Sequence, residues 1–181
     1  MPLLQWPRTG QNARVLNVND SIHIRPIKDA EYPSLWAMLE PVFRAGDTYA
    51  IDPAISRADA LDWWCKGTHR AFVATVEDKV LGSYYICPNQ QGGGAHVCNC
   101  GFVTDAAAQG RGIARAMLLH ALETARAAGF RAMQFNCVVE SNTRAVALWQ
   151  SHGFDVVGRL PGAFHHPKLG YVDALVMYRQ L

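Results

Sequence analysis

Several things are missing from this 181-residue chain, and each absence removes a class of function. No run of basic residues occurs and the net charge is only +2, so there is no electrostatic footprint for nucleic acid. No apolar run is long enough to span a bilayer, and no basic-then-apolar leader pattern opens the chain. The five cysteines, Cys65, Cys87, Cys98, Cys100 and Cys137, are odd in number and form neither a CxxC pair nor a disulfide framework. They read as small buried hydrophobes in a reducing compartment, and the expected location is the cytoplasm. The seven histidines are scattered without ligand spacing, and the His165–His166 pair has no readable third ligand, so no metal is expected.

What is present is an ordinary globular balance, half hydrophobic and 18% charged, at a length that suits one domain. Residues 1–20 carry weak pattern and read as a loose arm or as an extra hairpin turning at Asn19–Asp20; the domain proper is expected over 21–181. From Ser21 the signals strengthen. "IHIRPI" alternates as a strand, and "DAEYPSLWAMLEPVF" reads as a helix capped by Asp29 with Pro33 in its first turns. "SRADALDWWCKG" is a short helix opened by a Ser-x-x-Asp cap and ended at Gly67. Two strands follow around a tight turn at Asp78, then a flexible "PNQQGGG" loop, then the strand "AHVCNCGFVT", whose Gly101 marks a bulge or a close backbone approach. "RAMQFNCVV" is a strand, "SNTRAVALWQSHG" a capped helix, and "FDVVGRL" and "GYVDALVMYR" are closing strands around a loop, "PGAFHHPKL". The order β-α-α-β-β-β-α-β-α-β-β implies one mixed α/β sheet, mostly antiparallel with a parallel crossover, and helices on both faces.

The most informative stretch is "TDAAAQGRGIARAM", which joins a strand to a helix through two glycines. A bare turn feeding a helix is an anion site, because free backbone N–H groups and the helix dipole point the same way. Arg111 and Arg115 add charge-assisted donors. The alternative is purely structural: small residues that allow tight helix–sheet packing. Among phosphate ligands, a nucleoside triphosphate loop needs Gly-Lys-Ser/Thr, and no lysine is here. A dinucleotide fingerprint needs a third glycine, and Arg115 stands in its place; the antiparallel strands before the turn also argue against it, which leaves an oxidoreductase the weakest reading.

Gln109-Gly110-Arg111-Gly112-Ile113-Ala114 resembles the Q/R-x-x-G-x-G/A signature of the GNAT superfamily of N-acetyltransferases, and "NTRAVALWQSHGF" is similar to that family's N-x-x-A-x-x-L-Y-x-x-x-G-F helix. The two blocks lie in register and cover Val97 to Phe154. The resemblance implies acetyl-CoA as cofactor, with its pyrophosphate on Gln109, Gly110, Arg111, Gly112, Ile113, Ala114 and Arg115. It implies a pantetheine arm lying like a strand between two splayed parallel strands, with main-chain partners at Phe102 and Val103. It also implies a backbone N–H near Cys100 to Phe102 that polarises the thioester carbonyl, and cofactor contacts from Asn142, which equally reads as a plain N-cap.

The resemblance breaks where the family often carries a tyrosine acid: Trp149 occupies that position, and an indole is no proton donor at neutral pH. Trp149 is expected to pack on the cofactor or in the core, while Tyr171, Tyr84 or Tyr49 stand as replacement acids, with Tyr171 favoured. No acid lies between Ala95 and Thr104, so Glu140 is the candidate base, with His96 or a water chain behind it. The acceptor side is expected at the loop between the first two helices and at the last hairpin, with Asp47, Tyr49, Asp52, Asn99, His165 and Asp173 as substrate contacts suited to a cationic amine. The implied activity is direct acetyl transfer to a primary amine of a small molecule, amino acid or peptide; the alternative is a non-catalytic acyl-CoA-binding module. A homodimer stays open as an assembly.

Overall fold

The computed structural model describes residues 22–181, so the arm or hairpin expected over 1–20 lies outside the described residues. Seven strands form one sheet. They are β1 (His23–Pro26), β2 (Arg70–Val76), β3 (Lys79–Pro88), β4 (Val97–Thr104), β5 (Ala132–Val139), β6 (Asp155–His166) and β7 (Gly170–Gln180). Their order across the sheet is β1-β2-β3-β4-β5-β7-β6. The helices are α1 (Tyr32–Ala45) and α2 (Arg57–Cys65) between β1 and β2, α3 (Ile113–Ala127) after β4, and α4 (Thr143–Ser151) after β5. The element order matches the expectation, and none of the described helices is long and apolar enough to cross a membrane.

Two separate cores follow from the alternation of side chains across strands. One face buries α3 residues Ile113, Met117, Leu118, Ala121 and Leu122, with Trp149 of α4, against Tyr84, Ile86 and Met133. The opposite face buries Leu35, Leu39 and Phe43 of α1 and Trp64 of α2 against Tyr85, Cys87 and Val103. Tyr84 and Tyr85 are neighbours in sequence and therefore anchor opposite cores.

The feature that positions the site is the failure of β4 and β5 to stay together. They pair in parallel only at Val97↔Ala132 and Cys98↔Met133 and then diverge. The expected bulge at Gly101 is not the cause, because β3 and β4 keep one unbroken register from Cys98 to Thr104. Gly101 answers the other expectation, close approach: a Cβ there would stand 2.4 Å from the ring of Tyr85. The irregularity lies in β5, whose register against β7 shifts between Phe135 and Val138.

Two boundaries differ from the sequence expectation. Asp29 does not cap α1; it begins a short 3-10 turn (Asp29–Glu31), and Glu31 anchors the entry instead, accepting from the Lys28 N–H at 2.9 Å and from Arg25 Nη2 at 2.6 Å. The supposed loop "PGAFHHPKL" is mostly strand, since β6 runs through His166 and its register against β7 slips between Leu160 and Phe164. The slip leaves the Gly162 N–H to donate to Asp173 Oδ1 at 2.9 Å, which lets an irregular stretch remain paired.

Candidate functional site

β4 ends at Thr104, and Asp105 then caps a one-turn 3-10 helix by accepting from the Ala107 N–H at 2.8 Å. Gly110 and Gly112 follow with φ of +78° and +80°, and Gly112 is the N-cap of α3. Packing does not explain these glycines. A Cβ at Gly82 or Gly101 would strike a neighbour at 2.9 or 2.4 Å, whereas nothing lies within 4 Å of where one would stand on Gly110 or Gly112. Positive φ combined with open space leaves main chain bare at a helix N-terminus, the arrangement that receives an anion. This observation favours the anion reading over helix–sheet packing, and the residues fit a pyrophosphate-bearing ligand. Gln109 beside them accepts from Arg144 Nη1 at 3.2 Å, tying the turn to the start of α4.

The parting of β4 and β5 opens a cleft of about 280 Å³ lined by Tyr49, Trp63, Tyr85, Asn99, Phe102 and Trp149 among others. It adjoins a wider cavity of about 890 Å³ bounded by α1, the β2–β3 turn and the segment 104–109 that leads into the glycine turn, with Thr48 and Asn142 in both walls. Asn142 does cap α4, its Oδ1 accepting from the Ala145 N–H at 3.3 Å, while its side chain also borders both cavities. Trp149, 8% exposed, packs against Phe102 and Phe135 at ring distances of 5.1 and 4.9 Å. It belongs to the core and to the cleft wall at once.

The main chain of Phe102 faces the gap, but it is engaged: the Tyr49 hydroxyl accepts from its N–H and donates to its C=O, both at 2.8 Å. By the alternation of an antiparallel strand, the main chain of Val103 faces β3 instead, and its side chain is buried on the α1–α2 face. Burial raises the Tyr49 and Tyr85 hydroxyls well above the ordinary phenol range, so both stay protonated and act as donors.

The other expected residues separate by place. Asp47 and Gln109 line the wider cavity, as does His166, the neighbour of His165. Asp52 is spent on a turn, accepting from the Ala54 N–H at 2.8 Å. Glu140 and Asp173 line neither cavity; Arg159 Nη1 bridges them at 2.6 and 3.0 Å. Tyr171 is 78% exposed with its ring 4.9 Å from that of His165, also outside both cavities.

Sequence reasoning missed Arg159, Trp63, Tyr85, Asn136 and Cys137. The last four line the narrow cleft. Strand alternation carries a signal for Tyr85, which pairs with Gly101 across β3 and β4, and the glycine marks where its ring lies. Trp63 and Trp64 are adjacent in α2, so only one of them can face the core.

A family model for the GNAT acetyltransferases, described as "Acetyltransferase (GNAT) family", matches residues 32–154. The chain is 28% identical to the N-acetyltransferase aca1 of Schizosaccharomyces pombe, over 94% of this chain and 90% of that protein. A GCN5-related N-acetyltransferase from Kribbella flavida superposes with a TM-score of 0.84 at 44% identity, covering 88% of this chain and 98% of that one. The protein yncA of Salmonella typhimurium, solved with its cofactor acetyl-CoA, shares the fold at a TM-score of 0.78 and 20% identity, over 88% and 94% of the two chains.

Proposed function

The chain belongs to the GNAT acetyltransferase family, an acyltransferase family whose donor is acetyl-CoA, and on that premise we propose that it acetylates a primary amine of a small molecule, amino acid or peptide by direct transfer, with acetyl-CoA binding first. The observation that carries the reading is the cleft itself. It opens where β4 and β5 part, carries an aromatic wall of Tyr49, Trp63 and Tyr85 on the α1–α2 side, and meets the wider cavity, whose wall includes Gln109 beside the bare glycine turn.

Bound acetyl-CoA supplies an activated acyl thioester. The chain supplies the surroundings. The N–H groups of the first turn of α3, with Gly110 and Gly112 leaving the approach open, hold the anionic end. Trp149, Phe102 and Phe135 exclude water on the α4 side. Asn99 is held by its Nδ2 donating to the Gln134 carbonyl at 2.8 Å, which fixes its Oδ1 to accept an N–H from an entering amine. Among the described residues no Asp, Glu, Lys, Arg or His lines the narrow cleft, so the amine proton leaves by the opening to the wider cavity, where Asp47 stands, and then to solvent. Catalysis then comes chiefly from positioning, which is worth roughly 7–11 kcal/mol in well-oriented systems.

Calorimetry with acetyl-CoA, followed by thiol release against a panel of primary amines, tests the reading. Micromolar binding and amine-dependent release are expected, and a chain that does not bind acetyl-CoA would refute it.

A further inference from the structure

The acids expected to receive a cationic acceptor are not where an acceptor would sit. Asp52 and Asp173 serve a turn and an arginine, and Asp47, with its Oδ1 accepting from Thr48 at 2.9 Å, faces the wider cavity. The α1–α2 side of the narrow cleft carries aromatic rings and amides instead. We propose that the acceptor is a compact amine with one positive charge on an apolar or aromatic body, its body against Tyr49, Trp63 and Tyr85 and its nitrogen at Asn99. The inference rests on the acetyltransferase reading and narrows its substrate.

The three rings form a fixed corner. Trp63 meets Tyr49 at 6.3 Å and 81°, and Tyr85 at 5.3 Å and 77°. Tyr85 is backed by His69, stacked at 4.2 Å and 3°, so it presents its remaining surface toward the cleft. Trp63 is 37% exposed and lines the cleft. The ring surfaces suit the apolar body of such an amine, while among the described residues no carboxylate lines the cleft to pair with a second ammonium group. A second cation would therefore be desolvated without a partner.

The same wall serves the chemistry. Desolvation against this apolar wall, away from carboxylates, favours the uncharged form of a bound amine, which is the neutral nitrogen that attacks a thioester. Asn99 Oδ1 can accept from that nitrogen, since the Tyr85 hydroxyl that donates to it stands at a long 3.4 Å. Size agrees as well. The cleft of about 280 Å³ is shared with the acyl end of the donor, which leaves room only for a small acceptor body.

The test compares 2-phenylethylamine with spermidine and 1,3-diaminopropane by thiol release, with acetyl-CoA binding measured separately by calorimetry. The expected kcat/KM for 2-phenylethylamine is at least 100-fold above either polyamine. Trp63→Ala is expected to raise its KM at least tenfold, with Trp63→Phe in between and acetyl-CoA affinity unchanged in both. Asn99→Asp is expected to shift the preference toward the diamine. Acetyl-CoA binding with polyamines preferred, or with no amine of the panel turned over, overturns this inference alone. Absence of acetyl-CoA binding overturns the acetyltransferase reading itself.

Discussion

The Tyr49 hydroxyl, carried on the loop between α1 and α2, makes two hydrogen bonds to one residue of the central sheet: it accepts from the Phe102 N–H and donates to the Phe102 C=O, each at 2.8 Å. Those are the main-chain groups that a neighbouring strand would use, exposed because β5 has turned away. A phenol satisfies both where water or a strand otherwise would, and edge contacts to Phe43 and Trp64 at 5.7 and 6.1 Å hold its ring. The loop expected to line the acceptor side is thereby tied directly to the strand expected to line the cofactor side.

Tyr49→Phe removes both bonds and leaves the Phe102 pair facing the gap. The expected stability loss is about 1–2 kcal/mol, read from chemical denaturation. An amide of the pantetheine arm that uses the same pair no longer has to displace a hydroxyl, so acetyl-CoA affinity by calorimetry is expected to hold or rise, by up to about tenfold. A fall in affinity would mean that the hydroxyl itself contacts the ligand.

Gly101→Ala is expected to be severe for a residue in a regular strand. The new methyl would stand 2.4 Å from Tyr85 Cε1, and Tyr85 is wedged between His69 and Trp64. Overpacking of this kind costs about 1–3 kcal/mol. The cause is checked with Tyr85→Leu in a double-mutant cycle: the pair is expected to lose less stability than the sum of its parts, because the smaller side chain vacates the collision.

The sequence made the order of elements legible because each had a local signal: strand alternation, a serine cap at Ser56, an asparagine cap at Asn142 and a tight turn at Asp78. The glycine turn was legible because positive φ and bare backbone demand glycine whatever the tertiary context. Three things were not. The strand character of 161–166 was hidden by Pro161 and Gly162, which sequence patterns read as loop and the structure absorbs as a register slip. The engagement of Glu140 and Asp173 by Arg159 joins three elements and leaves no local trace. Nor does the aromatic corner of Tyr49, Trp63 and Tyr85, which forms only when α2 packs beside β3.

Gly112→Asp places bulk and negative charge at the N-cap of α3, where space is open and the backbone is bare. The helix dipole favours an acid there, but φ of +80° is the left-handed region that strains any residue with a Cβ. Folding is therefore expected to lose about 1–2 kcal/mol, while acetyl-CoA affinity falls at least about 100-fold through repulsion of the pyrophosphate. Equal affinity in the variant and the parent would show that the turn is not the anchor.

Trp149 separates packing from ligand contact. Its ring meets Phe102, Phe135 and, at 6.5 Å, Phe154, so Trp149→Ala is expected to cost about 3–5 kcal/mol and Trp149→Phe much less. If the ring also borders the bound arm, acetyl-CoA affinity follows the same order, with alanine worse than phenylalanine. Equal losses in the two variants would point to the indole N–H instead.

His120 sets the expected response to acid. It lies on α3, where a hydrogen bond of 2.6 Å joins its Nδ1 to the Tyr84 hydroxyl and Thr124 Oγ1 stands 3.3 Å away, and the edge of Phe72 covers the ring. Burial lowers its pKa from 6.5 to about 4. The unfolded chain therefore takes up a proton near pH 6.5, and the folded chain only near pH 4. Between those values the unfolded state holds more protons, so stability declines as pH falls through this window and is unaffected above it. The decline approaches about 1.4 kcal/mol per pH unit at most, on the order of 3 kcal/mol in all. Glu31, held low by its hydrogen bonds to Arg25, and Asp173, held low by the Gly162 N–H and Arg159, withdraw their contributions below their ordinary values of 4.5 and 3.8, so they act mainly beneath the window. His120→Gln keeps a polar partner for Tyr84 but cannot take the proton. Thermal melts at pH 7.5, 6 and 5 are expected to show a smaller drop in Tm for the variant than for the parent, and identical drops would place the acid sensitivity elsewhere.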